Sequence, residues 1–412
     1  MPWMRALHVL AIAAIASGCS GARASLDRVA EDYVRVALKL AQHDPSLVET
    51  WRGPRALMPG ARVPVASIHE EIRGLRQDID VLAGDIGSAD ERTRIEYLDA
   101  QLRGLGFAAE RLLGRATTID EQARDEFAAA FSQPDTETVR RTLAEIDRLL
   151  PGEGALADRV AGLRRRTTVP RDRRMEVLQI AVAACRDAVA PVLQLPRGER
   201  VTIAFRSGLP WDGFAQYAGK NQTAIEINDD GPLDVSRAFR LACHEGYAGH
   251  HGQHVLMEQV AGERGWPELQ LTPAFGRHLL FSEGAAEVGA DVALTPAQRA
   301  TLYRERLMPA ANLPADEGAV LIQVEDLLAS LLPVVTDVAR QYLDTRITRE
   351  QAIERLATEA LIANPSGTLA FIERRRARAL VYGEGRRVIY SMMTTKNLEG
   401  LRALVPPRTA LQ

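Results

Sequence analysis

The spacing of apolar residues along the chain predicts a succession of amphipathic helices. Ser67–Leu82 shows this most clearly, because its apolar residues recur close to the 3.6-residue period of a helix. They are Ile68, Ile72, Leu75, Ile79 and Leu82. Further segments with an Asp or Thr near the start, which can cap a helix, are Asp90–Leu105, Glu121–Phe131 and Thr136–Leu150. We therefore interpret the stretch from about Leu26 to Leu193 as a helical scaffold.

The pattern changes near Gly198. Val201–Phe205 and Thr223–Ile227 have the composition and alternation of short strands, and the second is a candidate edge strand for pairing with an extended peptide. Helical patterns resume near Asp234. These features predict a mainly α fold, a multi-helix domain with a small β-hairpin or short sheet near the functional site. We expect a helical region over 19–195 and a metal-binding region over 196–405, joined in one continuous structural unit.

The first residues have the pattern of an export signal, which we place at 1–18. Arg5 precedes a short apolar run, Leu7–Ala16, and small residues then lead to Cys19. A Cys in this place resembles the lipidated residue of bacterial lipoproteins, although Ala16 stands where Leu is usual. We expect a periplasm-facing lipoprotein whose contact with the membrane is the anchor at Cys19. Ordinary secretion is the alternative, and we expect no later segment that is long and apolar enough to span a membrane.

Composition narrows the class of partner and of site. The formal net charge of -3 gives no reason to expect a nucleic acid partner. Beyond Cys19, the chain contains two cysteines, Cys185 and Cys243. Two cysteines do not supply the paired spacing of a thiolate zinc site, and they leave a disulfide open.

A cluster of histidines is the candidate metal-binding site. Five of the eight histidines lie within 35 residues of one another. Neutral imidazole is the commonest metal ligand in proteins. The cluster consists of His244, His250, His251, His254 and His278.

The spacing within this cluster makes a structural demand. Residues seven apart on a straight helix lie roughly 10 Å apart along its axis, too far for one ion. A shared metal therefore requires the chain to break between Glu245 and His250, where Gly246 and Gly249 make a break feasible. For the second imidazole we slightly prefer His251 over His250, because it shares a helical face with His244. Pairs with His254 or His278 stay open as alternatives.

A second motif could complete the site. Glu283 can supply a carboxylate ligand, and Glu287 and Asp291 follow at one-turn spacing, where either could orient a ligand histidine. Glu245, beside His244, is a candidate general base. This donor set of imidazole and carboxylate suits zinc.

The stretch HEGYAGHHGQ at 244–253, followed by FSEGAA at 281–286, resembles the domain-of-unknown-function family 885, bacterial proteins regarded as predicted zinc metallopeptidases. The resemblance covers about residues 210–390. It implies the ligands His244, His250 or His251, and Glu283. Ala248 replaces a family Pro and Ala285 a family Trp, changes that spare the ligands and point to a different substrate. Weaker similarities select three further residues: Tyr217 and Asn228 as substrate-binding candidates, and Tyr382 as a catalytic candidate.

Together these observations predict a Zn²⁺-dependent hydrolase of peptide or small amide substrates, in which Glu245 takes a proton from the attacking water. Two alternatives stay open. One is a cell-envelope binding lipoprotein whose metal is structural or vestigial. The other is a zinc hydrolase of non-peptide amides.

Overall fold

The computed structural model describes residues 10–84, 87–209 and 211–402, and for 10–25 the description is limited to the backbone. The signal at 1–18 and the Cys19 side chain therefore lie wholly or partly outside the described residues. The fold is mainly α, as the sequence predicts. Its helices are α1 Leu10–Ala41, α2 Val65–Leu82, α3 Ala89–Leu112, α4 Ile119–Phe127, α5 Thr136–Leu149, α6 Leu156–Arg166, α7 Arg174–Val189, α8 Val235–Glu245, α9 His250–Arg264, α10 Gly276–Val292, α11 Pro296–Leu302, α12 Met308–Ala310, α13 Glu317–Leu328, α14 Leu332–Leu343, α15 Arg349–Thr358, α16 Pro365–Arg375, α17 Val381–Met392 and α18 Leu398–Arg402.

The strands form two small sheets. β1 Val48–Trp51 pairs antiparallel with β5 Leu271–Pro273. The other sheet contains β2 Arg200–Arg206, β3 Gly213–Gly219 and β4 Gln222–Asn228, in the order β2-β4-β3.

Both predicted strands are confirmed, but their arrangement differs from the expectation. β4, which contains Thr223–Ile227, lies at the centre of its sheet, parallel to β2 and antiparallel to β3. It cannot be the edge that receives a peptide, because both of its sides are already paired. The hairpin joins β3 to β4 through Lys220 and Asn221, whose φ angles of 54° and 60° give the twist that tight hairpins need.

The helical N-terminal region and the region that follows it share a hydrophobic core. Buried residues of α1 to α3 pack with residues from α9 and the segment that precedes α10, including Met257, Trp266 and Phe275. A buried ion pair reinforces this junction, with Arg94 of α3 donating to Glu268 at 2.5 Å. The scaffold therefore braces the elements that carry the histidine cluster.

A disulfide joins Cys185 of α7 to Cys243 of α8, with the Cα atoms 5.6 Å apart. Both side chains are fully buried. Since Cys243 directly precedes His244, the bond ties the end of α8 to the neighbouring helix at the start of the histidine cluster.

One described helical stretch, Glu317–Leu343, has the length and apolar composition that a membrane span requires. The expectation that no later segment would do so is therefore wrong. Its buried residues, among them Leu321, Val324 and Val338, pack in the protein core. These apolar residues therefore pack against other hydrophobic residues of the chain.

Helices α10 and α17 cross in close contact at two glycines. A Cβ atom on Gly284 would lie 2.3 Å from the backbone carbon of Gly385, and one on Gly385 would lie 2.2 Å from the Leu280 oxygen. Such distances leave no room for a side chain. The crossing therefore fixes the helix of Tyr382 against the helix of Glu283.

We predict that Gly385→Ala lowers the free energy of unfolding by about 1–3 kcal/mol or more, because the added methyl group forces α10 and α17 apart. Thermal unfolding followed by circular dichroism measures the change. Gly74→Ala is the matched control: a Cβ there meets nothing within 4 Å. In an exposed helix it should stabilise by about 0.5–1 kcal/mol. Equal effects at both positions would contradict the close crossing.

Candidate metal centre

The chain breaks where the spacing of the histidines requires it. α8 ends at Glu245 and α9 begins at His250. The four residues between them fold back onto the last turn of α8, so closely that a Cβ on Gly249 would lie 1.8 Å from the His244 oxygen. A Cβ on Gly246 would lie 2.2 Å from the Ala242 oxygen. Both positions therefore need glycine.

This reversal brings three side chains together. One ligand atom each from His244, His250 and Glu283 can be chosen so that all lie within 4.8 Å of one another. The Nε2 atom of His244 lies 3.2 Å from Glu283 Oε2, and that of His250 lies 3.4 Å from the same oxygen. The two rings meet edge to face, with centroids 4.8 Å apart. The three groups are largely buried.

The geometry fits a tetrahedral zinc ion. Ligand atoms of such an ion, at bonds of about 2.0–2.1 Å, lie about 3.3 Å from one another. The shared oxygen, Glu283 Oε2, is buried and accepts no hydrogen bond from any described residue. A buried carboxylate oxygen without a donor is costly, and a cation at this point would satisfy it.

A carboxylate behind His244 fixes the orientation of its ring. The Nδ1 atom of His244 lies 3.2 Å from Glu287 Oε1. Arg240 in turn donates to Glu287 at 2.6 Å and to Asp291 at 2.7 Å. The expectation that Glu287 or Asp291 could orient a ligand histidine fits this arrangement, since a ring held at Nδ1 presents Nε2 to a metal.

The ring of His250 has a weaker support of the same kind. Its Nδ1 atom lies 3.5 Å from the Ser282 hydroxyl, which donates to Gln253 Oε1 at 2.6 Å. The Gln253 amide donates to the Ser282 carbonyl at 3.0 Å. Ser282 precedes Glu283 in the chain, so this network joins α9 to the start of the carboxylate motif.

The electrostatic field at the cluster favours a cation. Burial by itself lowers the pKa of His244, but the contacts with Glu283 and Glu287 outweigh it and raise the pKa to about 10. The pKa of His250 is raised as well, because the attraction of Glu283 exceeds the cost of burial. Burial opposes ionisation of Glu283, yet the two imidazoles lower its pKa to about 2. A field that holds protons this firmly would also hold a divalent ion.

Glu245 and Tyr382 lie beside the cluster. Glu245 is buried, and its Oε2 atom has no hydrogen-bond partner among the described residues. The Tyr382 ring lies 6.3 Å from that of His244, and 37% of the tyrosine is exposed. The nearby charge of Glu283, and then burial, raise the pKa of Tyr382, so its hydroxyl stays protonated.

The structure corrects the preference for His251. Its ring is fully buried and points to Thr223, whose hydroxyl lies 2.8 Å from Nδ1, and to Glu199, 3.4 Å from Nε2. The preference assumed that α8 and α9 share one helical phase. The break at 246–249 resets that phase and turns His250 toward His244.

The rival histidines do not join the cluster either. His254 stacks on Tyr217 with the ring centroids 5.0 Å apart, and its Nδ1 atom is buried with no hydrogen-bond partner in the described part of the chain. His278 packs edge-on against Tyr97. Burial, and then the neighbouring His250, lower the pKa of His278 to about 4. These two rings line the inner side of the site as neutral groups.

Two predicted substrate contacts are occupied by the protein itself. Tyr217 is 4% exposed, and its hydroxyl donates to Glu258. The Asn228 side chain donates to the Leu209 carbonyl and accepts from the Asp230 amide, which shapes the turn after β4. Tyr217 is buried and Asn228 half-buried, and the polar atoms of both already have partners within the protein; their assignment as substrate contacts stays a prediction.

Sequence patterns did not select Glu49, Arg240 or Ser282, which the structure places around the centre. Ser282 stands in the FSEGAA motif and could have been noted as the neighbour of a ligand. Glu49 and Arg240 carried no local signal, because their importance comes from tertiary packing.

No protein-family model matches this chain, and no curated protein matches it. Among solved structures, it is similar to a "putative lipoprotein" from Colwellia psychrerythraea, at 16% identity and a TM-score of 0.50, over 86% of this chain and 70% of the other. A "putative lipoprotein of unknown function" from Shewanella oneidensis matches at 14% identity and a TM-score of 0.40, over 80% of this chain and 66% of the other. The first likeness shows a shared mainly α fold.

We predict that His250→Ala lowers the affinity for Zn²⁺ at least about 100-fold, whereas His251→Asn changes it less than about tenfold. Of these two rings, that of His250 has its Nε2 atom 3.4 Å from Glu283 Oε2, whereas that of His251 contacts Thr223 and Glu199. Equilibrium dialysis against a chelator buffer measures both, with circular dichroism to check folding. A larger loss from His251→Asn in a folded protein would overturn the ligand assignment.

We also predict that Zn²⁺ binding at pH 7 releases about one proton or more. The pKa of His244 in the metal-free protein is about 10, so this ring is protonated at pH 7 and must lose its proton to become a ligand. Affinity should therefore rise with pH up to about pH 10. Calorimetry in buffers of different ionisation enthalpy counts the protons. Binding without proton release would contradict the arrangement.

Proposed function

We propose that this protein is an exported zinc-dependent hydrolase that cleaves peptide bonds. The convergence of His244, His250 and Glu283 on one point carries the proposal. The Nε2 atoms of the two imidazoles lie 3.2 and 3.4 Å from Glu283 Oε2, and the Glu287 carboxylate lies behind the His244 ring. Three such protein ligands match a catalytic zinc site, which keeps a fourth coordination position open. The resemblance of the motifs to family 885 supports the same assignment.

The residues around the centre have the properties that amide hydrolysis requires. A zinc ion bound there would lower the pKa of a coordinated water to about 7 and polarise the amide carbonyl. Glu245 has a free carboxylate oxygen with which to accept a proton from the attacking water and pass it to the leaving amine. Tyr382 keeps its hydroxyl proton and can donate a hydrogen bond to the oxygen of the carbonyl as negative charge develops there.

Export and lipidation belong to the same proposal. The export pattern ends at Cys19, and the Cys185–Cys243 disulfide is a bond of oxidising compartments such as the periplasm. The protein from Colwellia psychrerythraea that shares the fold is described as a putative lipoprotein, which supports the same inference. We infer an anchor at Cys19 and a catalytic region that faces the periplasm.

We expect Glu245→Gln to keep zinc and lose peptide turnover by about 10²–10⁴-fold, because the amide cannot take up the water proton. Cleavage of a peptide library followed by mass spectrometry measures the loss, and metal analysis of the purified variant gives the zinc content. Glu153→Gln, an exposed acid far from the motifs in sequence, is the control and should keep full activity.

The outcome separates the alternatives. If the zinc-loaded wild type cleaves no amide of any kind, a binding lipoprotein with a structural metal replaces the hydrolase. If it cleaves only non-peptide amides, the chemistry stands and the substrate class changes. If Glu245→Gln retains turnover, Glu245 is not the base.

A further inference from the structure

Glu49 occupies an irregular position in the small sheet beside the metal centre. In the pairing of β1 with β5, Val48 lies opposite Pro273 and Thr50 opposite Thr272, which leaves Glu49 as the extra residue of a β-bulge. A bulge re-aims the side chain that it carries, and bulges are frequent next to active sites. The flanking Val48 packs against the core, whereas Glu49 remains exposed.

Two observations indicate that this carboxylate lies near the metal centre. β5, its partner strand, leads directly into α10, which carries Glu283. Burial, followed by the charges of Glu283 and Glu245, raises the pKa of Glu49 to about 7, while the charges of His250 and Arg375 oppose the shift. Water reaches the Glu49 side chain, yet the surrounding protein is close enough to shift its pKa. We infer that the side chain lies in the wall of an open site.

The carboxylate has no hydrogen-bond partner there. Among the described residues, no side chain forms a hydrogen bond or an ion pair with it, and it lies outside the group of converging ligand atoms. Two deeply buried oxygens at the same site, Glu245 Oε2 and Glu283 Oε2, also lack a hydrogen-bond partner among the described residues. The imidazoles of His244 and His250 offset the charge of Glu283, whereas no cationic side chain forms an ion pair with Glu49 in the described part of the chain. A metal ion would satisfy Glu283, which leaves Glu49 to be satisfied by the ligand.

We propose that Glu49 binds the ammonium group of the substrate, so that the protein acts on peptides with a free amino terminus. The proposal rests on the hydrolase function and specifies its substrate class. A primary ammonium group offers three donors and a full positive charge, which match an exposed carboxylate beside a cation-binding centre. An acetylated amino terminus has lost that charge and cannot form the ion pair.

The first test compares turnover of peptide libraries that differ only in acetylation of the amino terminus. We expect the zinc-loaded wild type to cleave the free peptides faster. Glu49→Gln, which keeps the size of the side chain, should lower the ratio of free to acetylated cleavage about tenfold to hundredfold, the value of one charge-assisted hydrogen bond. Glu153→Gln removes an exposed charge elsewhere and should leave the ratio unchanged.

The pattern of loss decides whether Glu49 recognises the substrate or acts in another way. An equal loss for both libraries would overturn the proposal, since it indicates a role in the chemistry or in folding. No change in the ratio, or a wild type that does not distinguish the libraries, would overturn it as well. Matching thermal unfolding curves establish that Glu49→Gln is folded.

A binding experiment separates this inference from the hydrolase function. Zinc-loaded Glu245→Gln should bind the two libraries without cleaving them, and its preference for free amino termini should disappear when Glu49→Gln is added. If the wild type cleaves no peptide but this preference is present and is lost with Glu49, the hydrolase proposal fails and ammonium binding stands. If the preference persists without Glu49, the inference fails whatever the turnover.

Discussion

The break between α8 and α9 is the constraint on which the site depends. Glu245 ends one helix and His250 begins the next, and the glycines between them permit a reversal in which backbone atoms approach too closely for any side chain. In a continuous helix, His244 and His250 would lie about 9 Å apart along the helix axis, because each residue adds about 1.5 Å. The reversal instead places both imidazoles over one carboxylate oxygen, Glu283 Oε2.

The surrounding structure holds this reversal in place from several sides. The Cys185–Cys243 disulfide fixes the end of α8 to α7, and the Arg240–Glu287 ion pair connects the same helix to α10. Close packing at the two crossing glycines then positions α17, with Tyr382, against α10. The site is therefore built on helices with extensive buried contacts, which gives the pre-organisation that metal binding and catalysis require.

Local patterns in the sequence identified a good part of this arrangement. The 3.6-residue period predicted the helical scaffold, and β2 and β4 were recognised as strands. The clustering of His244, Glu245 and Glu283 selected residues that the structure brings together. Errors arose where a local rule was carried across a discontinuity. His251 was preferred over His250 because helical phase was extended through the break.

The sequence by itself determined which side chains could form the centre and that the chain must break between them, because residue types and spacing limit what a helix can bring to one ion. Only the tertiary structure decided which imidazole turns inward and which carboxylate supports the ring of His244. Those choices depend on how helices and strands pack across long separations in sequence, and the free energy of such packing leaves no periodic signal in the residues concerned.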